Sequence, residues 1–176
     1  MLIRKAQGFA LIDLIFVCGM IGLLSSIAVP KLVMAKQSAG AASALGSMRT
    51  IGSAQLSYAL TCGNGFYAPN LTTLGTPPPG TREPFISHGL GIADTVAKSG
   101  YVIQMAATPW PSAPPACNGV GAGVTGQGFA AAADPADPIY PRFFATNANN
   151  LIYEHNATLF AVMPDVGEPA VGHSVR

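Results

Sequence analysis

From Phe9 to Pro30 the chain reads FALIDLIFVCGMIGLLSSIAVP, twenty-two residues in which Asp13 carries the only charge. About 20 predominantly apolar residues in a helix cross the hydrocarbon of a bilayer, so the run predicts a membrane helix. Ahead of it stands MLIRKAQG, a short polar leader with two bases, Arg4 and Lys5. A secretory signal peptide would have a shorter apolar core, about 7 to 15 residues, followed by an A-x-A-like cleavage site, and this segment fits neither requirement. The leader's bases favour an amino-terminal end inside the cell, although Lys31 and Lys36 nearly match them on the other flank. The run adds to a composition of 49% hydrophobic and 10% charged residues, where ordinary domains carry roughly 25% charged. Such a chain is too apolar for intrinsic disorder and too poor in Lys and Arg for a phosphate-binding surface. Its 176 residues suit one membrane segment and one domain of about 110 to 140 residues. Most of the twenty glycines and fifteen prolines follow residue 60, which predicts a loop-rich domain.

Asp13 is the anomaly of the apolar run. An acid at the centre of a spanning helix costs roughly 2.5 to 3.5 kcal/mol on insertion scales, and less near the interface. One reading leaves it idle among lipid headgroups; the sharper reading pairs it with a cation supplied by another chain.

The segment Gly8-Phe9-Ala10-Leu11-Ile12-Asp13-Leu14-Ile15, followed by Ile27-Ala28-Val29-Pro30-Lys31-Leu32, resembles the prepilin signature of type IV pilins and type II secretion pseudopilins. The likeness joins a basic leader, a glycine, a phenylalanine, an acid four residues later and a proline twenty-one residues after the phenylalanine. It implies that prepilin peptidase, a membrane aspartyl enzyme, cuts between Gly8 and Phe9, and that the new terminus at Phe9 is methylated. In that family the acid neutralises the amino terminus of the adjoining subunit in the filament, a role that passes to Asp13. The family's usual residue there is Glu; Asp13 keeps the charge with a shorter reach. Such pairing agrees with the physics, because a buried charge is tolerable when paired and hydrogen-bonded. Loss of the leader removes Arg4 and Lys5, so nine bases against eight acids become seven against eight and formal charge moves from +1 to −1. A near-neutral surface favours association.

The helical pattern continues past Pro30. Between Lys31 and Leu60 no further proline interrupts the chain, alanine is frequent, and Leu45, Met48, Ile51 or Gly52, Gln55 or Leu56, and Ala59 form a stripe at three and four spacing. A helix from Phe9 to Leu60 would be about 78 Å long at 1.5 Å per residue, more than one small domain can bury, so its first half needs lipid or copies of itself. Pro30 and the glycines Gly19 and Gly22 weaken backbone pairing there and predict a kink or local unwinding, centred on Pro30 and Gly22. In pilus filaments this stretch can lose helicity, and the resemblance implies the same for this chain. Thr61-Cys62-Gly63-Asn64-Gly65 is a stop signal.

The resulting fold class is α+β, a long amino-terminal helix whose second half packs on a small antiparallel sheet, as in type IV pilins. Its expected divisions are leader 1–8, membrane and assembly helix 9–30, amphipathic helix 31–60, head 61–164 and tail 165–176. Within the head, Phe66, Tyr67, Leu71 and Leu74 anchor a loop resembling that after the long helix of pilin-like heads, and Pro77 to Pro84 reads as a linker. A short helix is expected around Ile86 to Ala97, with Asp94 and Lys98 paired at i and i+4. Strands are expected at Gly100 to Met105, Gly128 to Ala133, Arg142 to Thr146 and Leu151 to His155, the last two joined across Asn147 to Asn150. They make a meander of three or four strands. Cys18 reads as a small packing residue of the apolar run, which leaves Cys62 and Cys117 as an even pair. An oxidising compartment favours their disulfide over two free thiols, with about 4 kcal/mol of stabilisation from chain entropy.

Several motifs point elsewhere and have plainer explanations. Gly121-x-Gly123-x-x-Gly126 matches a dinucleotide fingerprint by letter, but no strand precedes it and no helix opens after it, so a flexible surface loop is expected. His88, His155 and His173 have no paired zinc spacing, and no Ser or Cys has a nucleophile's setting. No enzyme activity, cofactor or metal is expected. Asp134 and Asp137 could serve a calcium loop of the kind some pseudopilins carry, yet acids beside prolines are usually solvated turn residues. Asn70-Leu71-Thr72 and Asn156-Ala157-Thr158 fit the glycosylation sequon. Phe9, Phe16, Tyr58, Phe66 and Tyr67 read as packing aromatics. Arg82, Lys98, Arg142 and Arg176 are scattered and form no basic stripe for nucleic acid.

The expected function is that of a structural subunit of a type IV pilus or pilus-like filament, polymerised through its amino-terminal helix. The alternatives are a type II secretion pseudopilin, or a minor pilin that binds a surface or DNA. Expected partners are other copies of the chain, prepilin peptidase, an inner-membrane assembly platform and, before assembly, membrane lipid. The expected location is a single pass through the inner membrane, then a surface pilus or a periplasmic pseudopilus.

Overall fold

The computed structural model describes residues 11–175; the leader, Gly8, Phe9 and Arg176 lie outside the described residues. The chain divides into two units, Met1–Ser38 and Ala39–Arg176. One helix, α1 (Leu11–Thr61), contributes to both.

In the first unit α1 is apolar and exposed. Its most apolar 18-residue window has a mean hydropathy of 2.3 and none of it is buried, so by length and composition the helix can cross a membrane. Helical backbone continues through Gly22 and Pro30, and the unwinding expected there does not occur in the single chain. Proline lacks the N–H that would bond the carbonyl four residues back, here that of Ser26, and the surrounding turns hold the helix across that one missing bond. The Ser26 hydroxyl itself donates to the Leu23 carbonyl at 2.7 Å, which satisfies it within its own helix.

In the second unit, α1 from Ala39 packs on a sheet. After α1 come two single-turn helices, α2 (Leu71–Leu74) and α3 (His88–Gly91), then β1 (Thr95–Lys98), β2 (Tyr101–Ala106), β3 (Ala130–Pro135), β4 (Phe143–Asn147), β5 (Ile152–His155) and β6 (His173–Ser174). The strands form one antiparallel meander in the order β1-β2-β3-β4-β5-β6. The α+β class is as expected, and so are four of the strands, including the pairing of β4 with β5.

Two strands correct the expectation of three or four. Residues 95–97, expected at the end of a helix from Ile86 to Ala97, form β1 with Lys98; the helix is only α3. Gly89 and Gly91 weaken helix propagation, while Thr95 and Val96 are β-branched and favour the pleated conformation. Ser99 and Gly100, at φ 51° and 84°, then make the two-residue hairpin turn in which both central residues adopt positive φ, placing Lys98 opposite Tyr101. The Asp94–Lys98 pair does not form, because the Asp94 carboxylate accepts from the Thr72 hydroxyl at 2.6 Å and backbone N–H at 3.3 Å. At the other end, β6 lies inside the expected tail 165–176, bonded to β5 through Tyr153↔Ser174 and Glu154↔His173.

The centre of the head is built on small residues. Ala130 to Ala133 make β3 buried on both faces. Ala131 and Ala133 join the main core with Met48, Ile51 and Tyr58 of α1, Ile103 and Met105 of β2 and Phe144 of β4. Ala130 and Ala132 face the opposite way, into a second cluster with Ala145, Tyr153, Leu159 and Met163. The helix likewise buries small residues, Ala41, Ala44 and Ser47. The buried stripe of α1 follows the expected spacing, with Met48, Ile51, Gly52 and Ala59 buried; of the two alternatives Gln55 points inward and Leu56 is exposed, Tyr58 joins the buried face, and Leu45 is half-buried.

Candidate assembly site

Asp13 sits half-buried on a helix whose neighbouring side chains, Ile12, Leu14 and Phe16 among them, are exposed. The described residues hold one ion pair, Arg142 with Glu154, so none of them offers Asp13 a cation. Around Gly19 and Gly22 there is open space within 4 Å of where a Cβ would stand, and Cys18 is exposed with a free thiol. Leu11 to Pro30 thus presents apolar side chains, two open glycine positions and one acid. Chemically this surface can dissolve in lipid or pack against other apolar helices, and it can hold one cation against its carboxylate.

The head is closed at the end of α1 by the expected disulfide. Cys62 and Cys117 are bonded with Cα atoms 4.9 Å apart, and the Cys117 N–H donates to the Cys62 carbonyl at 3.1 Å. The helix stops where Asn64 and Gly65 take φ of 53° and 90°, conformations that favour Asn and Gly. Asn118, next to the disulfide, accepts from the Tyr58 hydroxyl at 3.3 Å and donates to the Thr73 carbonyl at 3.1 Å. Burial pushes the Tyr58 hydroxyl up to about 12, so it stays protonated and able to donate.

Gln55 is fully buried and its amide faces the backbone of Ala68, accepting from the N–H at 2.8 Å and donating to the carbonyl at 2.9 Å. Tyr140, 5% exposed, fills a slot between two glycines: a Cβ on Gly40 would stand 2.7 Å from its ring and one on Gly100 2.6 Å. Neither role was legible beforehand. Gln55 sat at a recognisable stripe position, whereas nothing local marks Tyr140 as the partner of residues 100 and 40 positions away.

The two acids considered for calcium have separate partners. Asp137 accepts from the Ile139 N–H at 3.0 Å. Asp134 stands on the outer sheet face, where its Oδ2 accepts from the Thr158 hydroxyl at 2.6 Å and its buried Oδ1 finds no partner among the described residues. Burial raises this carboxyl above the usual aspartate range, partly offset by Thr158. No group of three metal-ligating side chains occurs among the described residues. The glycine motif lies in a loop, as expected, and that loop is pinned at two points: Gly126 exchanges two backbone hydrogen bonds with Tyr67, and Gly123 donates to the Ala113 carbonyl at 2.8 Å. Just before β4, Arg142 forms a two-pronged pair with Glu154 of β5 and lies over the Phe144 ring at 5.1 Å. That hydrogen-bonded guanidinium holds the Glu154 carboxyl below its ordinary value.

Comparison with protein-family models, curated proteins and solved structures returned no match to the chain.

Proposed function

We infer that the chain is a structural subunit of a type IV pilus or pilus-like filament, inserted in the inner membrane, cut between Gly8 and Phe9, methylated at Phe9 and polymerised through α1. The observation that carries this reading is the exposed apolar stretch of α1 with its single acid. An 18-residue window of mean hydropathy 2.3 lies wholly exposed, and removing such a surface from water is strongly favourable at roughly 25 cal/mol per Å². Lipid covers it first and neighbouring subunits cover it afterwards. In the filament, Asp13 sets the register of each entering subunit by pairing with the amino terminus of another. The prepilin-like residues from Gly8 to Leu32 supply the order of events, and the disulfide supports an oxidising compartment for the head. Electron microscopy of filaments sheared from cells that make the chain, with mass spectrometry of the subunit, tests the proposal. Filaments containing a chain that begins at a methylated Phe9 are expected; an uncut chain confined to membranes would overturn it.

A further inference from the structure

The two sequons have different surroundings, and the geometry points to Asn156, rather than Asn70, as the acceptor of an N-linked glycan on this chain. Transfer to asparagine needs an accessible side-chain amide and a hydroxyl two residues on, which is why sequons act on the surface of exported proteins. Asn70 has the hydroxyl, on Thr72, but its half-buried amide is already engaged. It caps α2, where its Oδ1 accepts from the Thr73 N–H at 3.0 Å and from the hydroxyls of Thr72 and Thr73, while its Nδ2 donates to Asp94 at 3.3 Å. Modifying that amide would break the cap and its link to Asp94.

Asn156 stands on a bend just after β5, and Asn156, Ala157 and Thr158 are all exposed. Its amide has no hydrogen bond among the described residues, while Thr158 is oriented by its bond to Asp134. A second observation concerns the surface beside it. Asn156 lines an open depression of about 530 Å³ with Pro135, Pro138, Pro141, Tyr140 and Phe143, a volume within the range of small-molecule sites. The first sugars of a glycan rooted at Asn156 lie over this depression, where proline rings and the Phe143 ring offer apolar surface to the C–H faces of a pyranose. The occupant of the depression is thus the chain's own glycan.

The co-reactant is a lipid-linked oligosaccharide, brought by an oligosaccharyltransferase. The Asn156 Nδ2 attacks the anomeric carbon and the N–C bond forms. The bond from that carbon to the lipid pyrophosphate oxygen breaks with its electron pair, and the amide proton passes to a base; nothing is oxidised or reduced. The inference rests on the export of the head in the filament reading, and its test needs neither cleavage nor polymerisation. The full chain in detergent micelles is incubated with a purified oligosaccharyltransferase and its lipid-linked oligosaccharide, and the products are mapped by mass spectrometry. One glycan per chain is expected, on the peptide holding Asn156. It is lost in Asn156→Gln and Thr158→Ala, kept in Thr158→Ser and undiminished in Asn70→Gln, with near-ultraviolet circular dichroism showing each variant folded. An unmodified wild-type chain, or one modified at Asn70 to the same extent, overturns the inference and leaves the filament reading to its own test.

Discussion

Gln55 shows what one buried polar residue can do for a small head. Its amide occupies both backbone groups of Ala68, and a buried backbone group left without a partner costs about 1 to 3 kcal/mol. Gln55→Leu keeps the volume and leaves both groups unpaired, so a loss of about that size or more is expected. Urea unfolding of the full chain in micelles, followed by the fluorescence of the single tryptophan, Trp110, measures it. Asp134 behaves in the opposite sense. Its native carboxyl is raised by burial, so the native state binds the proton more readily than the unfolded chain. The resulting contribution to stability is complete below the unfolded aspartate range and is lost as pH rises through the native value. Asp134→Asn removes the charge and keeps an acceptor for Thr158; it should melt higher than wild type at neutral pH, and the difference should shrink on acidification. Glu154 runs the other way: its depressed carboxyl adds stability above the unfolded value that fades as pH falls through the native one.

At the scale of elements, the disulfide and the hairpins divide the work of closing the head. The bond between Cys62 and Cys117 spans a sequence separation of 55 and ties the proline- and glycine-rich segment to the end of α1. Cys62→Ser should lower stability by about 2 to 5 kcal/mol, measured by the same unfolding experiment against a chain with the bond intact. Four strands were legible because each carries β-branched, aromatic or small apolar residues between turn signals. The two missed strands sit on the sheet edges. β1 becomes a strand because the Ser99-Gly100 turn folds it onto β2, and β6 is two residues long with no pattern of its own. Their conformation comes from a neighbouring strand, which a local window does not contain.

At the scale of the whole molecule, one unit has a core of its own and the other presents apolar surface that the described chain leaves exposed. Cohesion between subunits and register between them are separate properties in the proposed filament, the first from the apolar stretch and the second from Asp13. Asp13→Ala should therefore leave membrane insertion and cleavage intact and reduce the yield of sheared filaments severely. Normal filament mass from that variant would remove Asp13 from assembly, whatever the fate of the apolar stretch. Asp13→Glu installs the acid usual in the pilins that this segment resembles and should assemble at least as well as wild type.

The apolar run, the helix it begins, the glycine-rich stop after Thr61 and the two head cysteines were determined by the sequence alone, because each depends on residues close in the chain or few enough to leave one pairing. Tertiary structure decided between Gln55 and Leu56 on the buried face of α1, how many strands the sheet has, and what Gln55, Tyr140 and Asp134 touch. Those outcomes depend on partners far along the chain: Leu56 lies outside because Gln55 has Ala68 to bond, and Tyr140 lies inside because Gly40 and Gly100 leave it room. Hydropathy ranks Leu above Gln, and only the hydrogen-bonding partner reverses that order.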